Sequence, residues 1–240
     1  MSLGAFMSED LVISPSDLTL NTSDPAPYQL GARVTTGDGR YFRLIKAGAV
    51  NLAVGTLLQA SAEVTADQNL AVAATSASSN TITTTSTVTV TANQFAEGYV
   101  HITTGPGAGY QYKIKSHPAA TAAALTLTLY DTVQVALTTS SRIDLVANNY
   151  SGVVINPTTA TSAPIGVAVY PVTAGNYGFA QVKGVANILN DGGSTVGTNV
   201  SASNGTAGAV EAAVTAQAAI GVAVTGVAST EYGAIKLNLE

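Results

Sequence analysis

Two histidines, fourteen carboxylates and no cysteine are the residues on which most enzymatic chemistry in this 240-residue chain would have to rest. A nucleophilic triad needs a base, so His101 or His117 would have to serve it, yet no G-x-S-x-G elbow is present to hold a serine. His101 falls in the alternating run YVHIT, opposite Val100 and Ile102, and His117 stands in a loop before Pro118. Both read as structural or solvent-exposed residues. Metal binding lacks its spacings as well, since there is no H-x-x-E-H, H-x-H or D-x-D-x-D-G pattern. Asp191 in NDGGS could meet a cation through turn carbonyls, but a plain turn is the simpler reading. GPGAG at 105–109 lacks the lysine of a phosphate loop and reads as a hairpin turn. Paired acids for glycoside hydrolysis would need aromatic sugar platforms beside them. The ten tyrosines are spread along strand-like runs, with one local cluster at Tyr99, Tyr110 and Tyr112. That trio is a candidate surface platform, with cross-strand packing as the alternative. The residues thus predict no catalytic, cofactor or metal site, and no enzyme.

Composition narrows the class further. Charged residues make up only 10% of the chain, and the polar tracts are Thr, Ser and Asn, which suits ordered strands rather than charged disorder. The net charge of −5 leaves no footprint for nucleic acid. The start, MSLGAFMSEDLVIS, has no basic stretch and does not read as a signal peptide. Residues 209–228 are apolar but carry Glu211 and Gln217 and no Leu or Phe, so no membrane helix is expected.

The elements that would position any site alternate with period two. Val100 and Ile102, then Tyr110, Tyr112 and Ile114, then Leu125, Leu127 and Leu129, then Ile235, Leu237 and Leu239 each take every second position. Turn residues separate these runs: GDG at 37–39, NDGG at 190–193 and NG at 204–205. The expected fold is all-β, built of small antiparallel β-barrel or sandwich units.

One unit occurs twice. IGVAVYPVTAGNYG at 165–178 is echoed by IGVAVTGVASTEYG at 220–233, and VGTLLQAS at 54–61 by VGTNVSAS at 196–203. The expected organisation is an extended N-terminal arm over 1–30 and a discontinuous first β unit over 31–75 and 160–182. An inserted β domain would fill 76–159, and a second β unit 183–240. In IGVAV, Ile165, Val167 and Val169 are expected on one face, leaving Gly166 and Ala168 on a nearly bare one. Within the arm, Pro15, Pro25 and Pro27 disfavour regular structure, and Leu11, Val12, Ile13, Leu18 and Leu20 are candidate partner contacts.

These stretches carry a resemblance. GYVHITTGPGAGYQYKIKSH, LTLTLYDTVQVALTTSSRIDLVANNYSGVVINPTTAT and PIGVAV, in that order, look like the virion structural proteins of tailed bacteriophages, in particular head-decoration or cement proteins. AQVKGV, VGTNVSAS, AIGVAV and YGAIKLNL in the second half are similar to short phage decoration modules. The resemblance implies a protein of the capsid exterior, made in the host cytoplasm. It would bind the major capsid protein and itself, with a homotrimer as the first expectation at a lattice axis. It implies no nucleic-acid or membrane partner. A receptor- or glycan-binding module of a tail fibre or adhesin is the alternative.

Overall fold

The structure is a computed structural model that describes residues 11–24, 28–214 and 217–240. It is all-β. Strands β1 (Leu11–Val12), β2 (Arg33–Thr35), β3 (Tyr41–Lys46) and β4 (Leu57–Gln59) come first. There follow β5 (Leu70–Ala71), β6 (Thr81–Thr85), β7 (Thr89–Val90), β8 (Tyr99–Thr104), β9 (Gln111–Ser116), β10 (Ala120–Thr121), β11 (Ala124–Leu129) and β12 (Arg142–Val146). The chain ends with β13 (Val154–Ile155), β14 (Pro164–Ala168), β15 (Tyr177–Leu189), β16 (Asn199–Ala202), β17 (Val210–Ala212), β18 (Gly221–Ala223) and β19 (Tyr232–Asn238).

Two compact units divide the chain, one of residues 1–61 with 150–240 and one of 62–149. The insert therefore starts and ends earlier than the expected 76–159. Leu70 and Val72 explain its start, because β5 pairs with β12 and both side chains enter the insert's core. Val154 and Ile155 explain its end, because β13 pairs with β4 of the other unit.

The duplication is visible as two closed barrels that share one long strand. Five strands, in the order β3, β15, β14, β4 and β13, make the first barrel, and a parallel bridge from Ala47 to Val153 closes it. The order β15, β19, β18, β16 and β17 makes the second, closed by the parallel bridge from Asn190 to Val210. Closure removes the open edges that small sheets otherwise present. Hydrogen bonds repeat along with the residues. Gly55 N–H donates to Ala168 O and Gly197 N–H to Ala223 O, while Thr56 Oγ1 donates to Ala53 O and Thr198 Oγ1 to Thr195 O. The first and second β units, expected as separate domains, form one compact unit because the 13 residues of β15 belong to both. The insert occupies the place that the short turn 203–209 fills between β16 and β17.

Side chains sort into a core for each barrel. Ile45, Leu52, Leu58, Ile165 and Val172 fill the first, and Ile188, Val200, Val210, Ile235 and Leu237 the second. IGVAV does not keep a single face: pairing with β4 shifts register between Pro164 and Gly166. Ile165 and Ala168 therefore enter the first core, Val167 the second, and Val169 an outer cluster.

One turn differs between the copies. Gly175 has φ +76°, and Thr230, in the matching turn, has φ +68°. A β-branched residue is disfavoured there by about 1–2 kcal/mol, part of which glycine returns through unfolded-state entropy. Thr230→Gly should therefore stabilise the fold by about 0.5–1 kcal/mol, read as a raised midpoint in thermal unfolding.

In the unit 62–149, β5, β12, β8, β9, β11 and β6 form a six-stranded sheet whose ends meet at the bridge Val72–Thr84. Ile82, Val100, Ile102, Tyr112, Ile114, Leu125, Leu127 and Ile143 fill its interior, in keeping with the alternation of the sequence. β7 and β10 form a separate two-stranded ribbon.

Candidate functional site

The site begins with a strand that has two jobs. β15 pairs with β3 and β14 in its first half and with β19 in its second, and its pairing to β3 shifts register between Gln181 and Lys183. Gly184 takes up the bend at φ +87°, where a Cβ would stand 3.0 Å from both Arg40 Cγ and Gly39 O. The bend frees carbonyls, and the buried Gln181 amide meets them: Nε2 donates to Lys183 O at 3.1 Å and to Val185 O at 2.9 Å.

Outside this bend lies a cleft of about 670 Å³. Pro15 and Leu18 form one wall, and Val54, Tyr170, Val185 and Tyr232 contribute half-exposed apolar surface. Arg40, Gln181 and Asn187 are its polar members. Arg40 is steadied by an ion pair with Asp38 at 2.7 Å and lies over the Phe42 ring. A hydrogen bond from Thr36, joined by Arg40 and opposed by slight burial, holds the Asp38 carboxyl down to about 2.

The duplication shows what this cleft corresponds to. In the first barrel, Leu44 pairs with Phe179; at the same place in the second, Asn187 pairs with Ala234. Tyr177 and Val169 likewise correspond to Tyr232 and Val224 in the repeated sequence. On the first barrel this outer face is covered: Ile13, Leu18, Leu20 and Tyr28 pack with Phe42, Leu44, Phe179, Val169 and Tyr177. On the second barrel Val185, Val224 and Tyr232 stay exposed.

That arrangement corrects the expected arm. Residues 11–24 are not a free extended arm but a layer of the chain's own fold. β1 pairs with β2 in parallel, a 3₁₀ turn runs over Pro15–Thr19 with a Ser14–Asp17 capping box, and Thr22 bridges Tyr177. Ile13 and Leu18 are buried because they complete an apolar cluster, Leu20 packs beside them, and only Leu11 and Val12 remain exposed. The rest of the expected arm, residues 1–10 and 25–27, lies outside the described residues.

The tyrosine trio does not form a platform. Val100 pairs with Tyr112 and Tyr99 with Lys113, so strand alternation puts Tyr99 and Tyr112 on opposite faces. Tyr112 is buried and its hydroxyl accepts from Gln134 N–H at 3.0 Å. Tyr110 stacks parallel to it with ring centroids 6.2 Å apart.

His117 is a core residue. Its Nε2 accepts from Phe95 N–H at 2.9 Å, which leaves Nδ1 as the donor to Pro118 O at 2.8 Å. His101 is half-buried beside Tyr99. Asp191 Oδ2 accepts from Ser203 Oγ at 2.6 Å, within the turn system of the second barrel. Among the described residues no group of three or more His, Cys, Asp or Glu could hold a metal ion. None of the helical turns described is long and apolar enough to cross a membrane.

Two charged clusters serve as fasteners. Glu97 pairs with Lys113 at 2.7 Å and accepts from the Tyr130 hydroxyl; burial raises its carboxyl pKa, but these hydrogen bonds prevail and lower it. Arg43 grips Glu240 with two hydrogen bonds of 2.8 and 2.9 Å and reaches Gly31 O with a third at 2.9 Å. Tyr150 donates to Glu240 Oε1 at 3.0 Å, and its own hydroxyl is pushed up to about 12 by burial and by the Glu240 charge. Burial works against ionisation of Glu240, yet the hydrogen bonds from Arg43 and Tyr150 outweigh it and lower its pKa. A lowered folded pKa gives stability that is present above the ordinary glutamate value and lost as pH falls through the folded value. Glu240→Gln should therefore cost about 1 kcal/mol near neutral pH and progressively less as pH falls below the ordinary glutamate value, in urea unfolding across an acid pH series.

Sequence reasoning missed the cleft, though a signal existed: aligning the repeats sets Phe179 against Ala234, a large core-type residue against a small one. No protein-family model, no curated protein and no solved structure matches this chain.

Proposed function

We propose that this chain is a structural virion protein that decorates and stabilises a bacteriophage capsid, binding the outer capsid lattice as a symmetric oligomer. The observation that carries the reading is the open outer face of the second barrel, where Val185, Val224 and Tyr232 are exposed although their counterparts on the first barrel are covered. Two barrels closed against edge pairing, with one apolar face left open, suit a protein that works through surface contact rather than chemistry. Its partners in this reading are the major capsid protein and copies of itself, a homotrimer being the form expected at a lattice axis. A cement acts through area: stable interfaces bury on the order of 1,600 Å², and lattice symmetry repeats each one. A glycan- or receptor-binding role draws less support, since Tyr112 lies in the core and Tyr99 and Tyr110 do not share a face.

Quantitative mass spectrometry of purified virions tests the reading. A copy number of the same order as the major capsid protein is the expected result. A handful of copies would move the protein to a vertex, tail or fibre, and absence from particles would overturn the virion assignment.

A further inference from the structure

The recess on the second barrel differs in chemistry as well as depth from the face it repeats. Leu44 on the first barrel is buried in one cluster with Ile13 and Leu18, and at its place the second barrel has Asn187. Asn187 is exposed in the cleft, and its side-chain amide makes no hydrogen bond among the described residues. Phe179 is answered by Ala234, so the space a ring fills on one barrel stays open on the other. Two tyrosines border that space. Tyr232 lies against bare backbone, since a Cβ at Gly55 would stand 2.6 Å from its Cε1, and both Tyr232 and Tyr170 keep exposed surface. Neither hydroxyl has a hydrogen-bond partner among the described residues. The buried Gln181 amide has both hydrogens committed to the Lys183 and Val185 carbonyls, so Asn187 is the amide left to donate.

Each feature narrows the occupant. An apolar segment like the one covering the first barrel would bury the Asn187 amide with its donors and acceptor unpaired. An anionic ligand would need a free cation, yet Arg40, the one charged residue of the lining, is paired with Asp38 at 2.7 Å. The fitting ligand is neutral, offers C–H surface to the tyrosines and to Val54 and Val185, and carries hydroxyls for the amide. A sugar ring meets all three conditions. We propose that the cleft binds a neutral saccharide, packed on Tyr170 and Tyr232 and hydrogen-bonded to Asn187. Its volume of about 670 Å³ falls within the range of about 300–1,000 Å³ typical of small-ligand sites.

This site owes nothing to the tyrosines of the insert, and it does not rest on the capsid reading. Val224, on the same outer face but outside the cleft lining, remains open to protein contact when the cleft is filled. Virion copy number is a separate readout, so either inference can fail alone.

Titration of the isotope-labelled full chain with neutral hexasaccharides of glucose, mannose, galactose and N-acetylglucosamine, followed by heteronuclear NMR, tests the site. At least one of the four should give saturable shifts at the Asn187 side-chain amide and at the backbone amides of 185–187 and 232–234. Asn187→Leu, which installs the first barrel's residue, should weaken that binding at least about tenfold, the scale of one lost hydrogen-bonding group. Tyr232→Ala should weaken it comparably through lost ring contact. Both positions are exposed, and an unchanged thermal midpoint shows that the fold is kept. No saturable shift with any of the four sugars, or undiminished binding by Asn187→Leu, would overturn the proposal. So would a response of the same amides to the peptide ISPSDLTL, which would make the cleft a site for an apolar segment, or to dextran sulfate, which would make it an anion site.

Discussion

Gly221→Ala is expected to cost the fold about 3 kcal/mol, the upper end of what one added methyl usually does. A Cβ at Gly221 would lie 2.4 Å from Lys236 O, a backbone atom of the strand with which β18 pairs. Backbone cannot rotate away as a side-chain tip can, so β18 and β19 must separate or the chain must bend. Gly166, the matching glycine of the first barrel, provides an internal comparison. Its Cβ would stand 2.9 Å from Ala180 Cβ and from Gln181 O, a milder overlap. Gly166→Ala should therefore cost less, about 1–2 kcal/mol. Urea unfolding of the two variants checks the order. A Gly221→Ala protein as stable as the parent, or less affected than Gly166→Ala, would contradict the close pairing on which both barrels are built.

The double substitution Ile13→Ala/Leu18→Ala is expected to destabilise the isolated protein by about 5 kcal/mol, since large-to-alanine changes in a core each cost about 2–5 kcal/mol. Both side chains are buried against Val34, Phe42, Leu44 and Phe179, so their truncation leaves cavities beneath the 3₁₀ turn. Hydrogen exchange at Phe42–Ile45 would report it, through faster exchange of amides on the strand they cover. Leu11→Ala and Val12→Ala, at exposed positions of β1, should stay within about 0.5 kcal/mol of the parent. If instead all four substitutions left the isolated protein unchanged, residues 11–20 would be a partner-binding segment after all. The pattern also locates what an N-terminal deletion can test. Removing residues 1–10 leaves this layer in place, whereas removing 1–30 strips the first barrel of its cover.

Much of the architecture was open to direct reading because strand alternation is a local property. Val100, Tyr112, Leu125, Leu127 and Ile235 each turn inward by simple period two, and the turns at 37–39 and 105–109 fall where glycines permit positive φ. The repeat, too, was legible, because IGVAV and Tyr-Gly recur with the glycines that let neighbouring strands approach. Sequence alone therefore determined the all-β class, the duplication and the existence of an insert.

Tertiary structure decided the rest. Whether two repeats form two domains or one depends on how far a single strand continues, and β15 continues through both barrels by bending at Gly184 and Lys183. Whether an apolar N-terminal residue contacts a partner or the chain's own core depends on what it meets. Ile13 and Leu18 find Phe42 and Phe179, residues distant in sequence. Tyr112 shares a type and a neighbourhood with Tyr99, yet pairing with Val100 turns one inward and the other out. The cleft itself arises from a difference between copies: Leu44 and Phe179 fill one outer face, and Asn187 and Ala234 leave the other hollow. Local pattern fixes which way a side chain points within its strand. Only the closed sheets decide what lies in front of it.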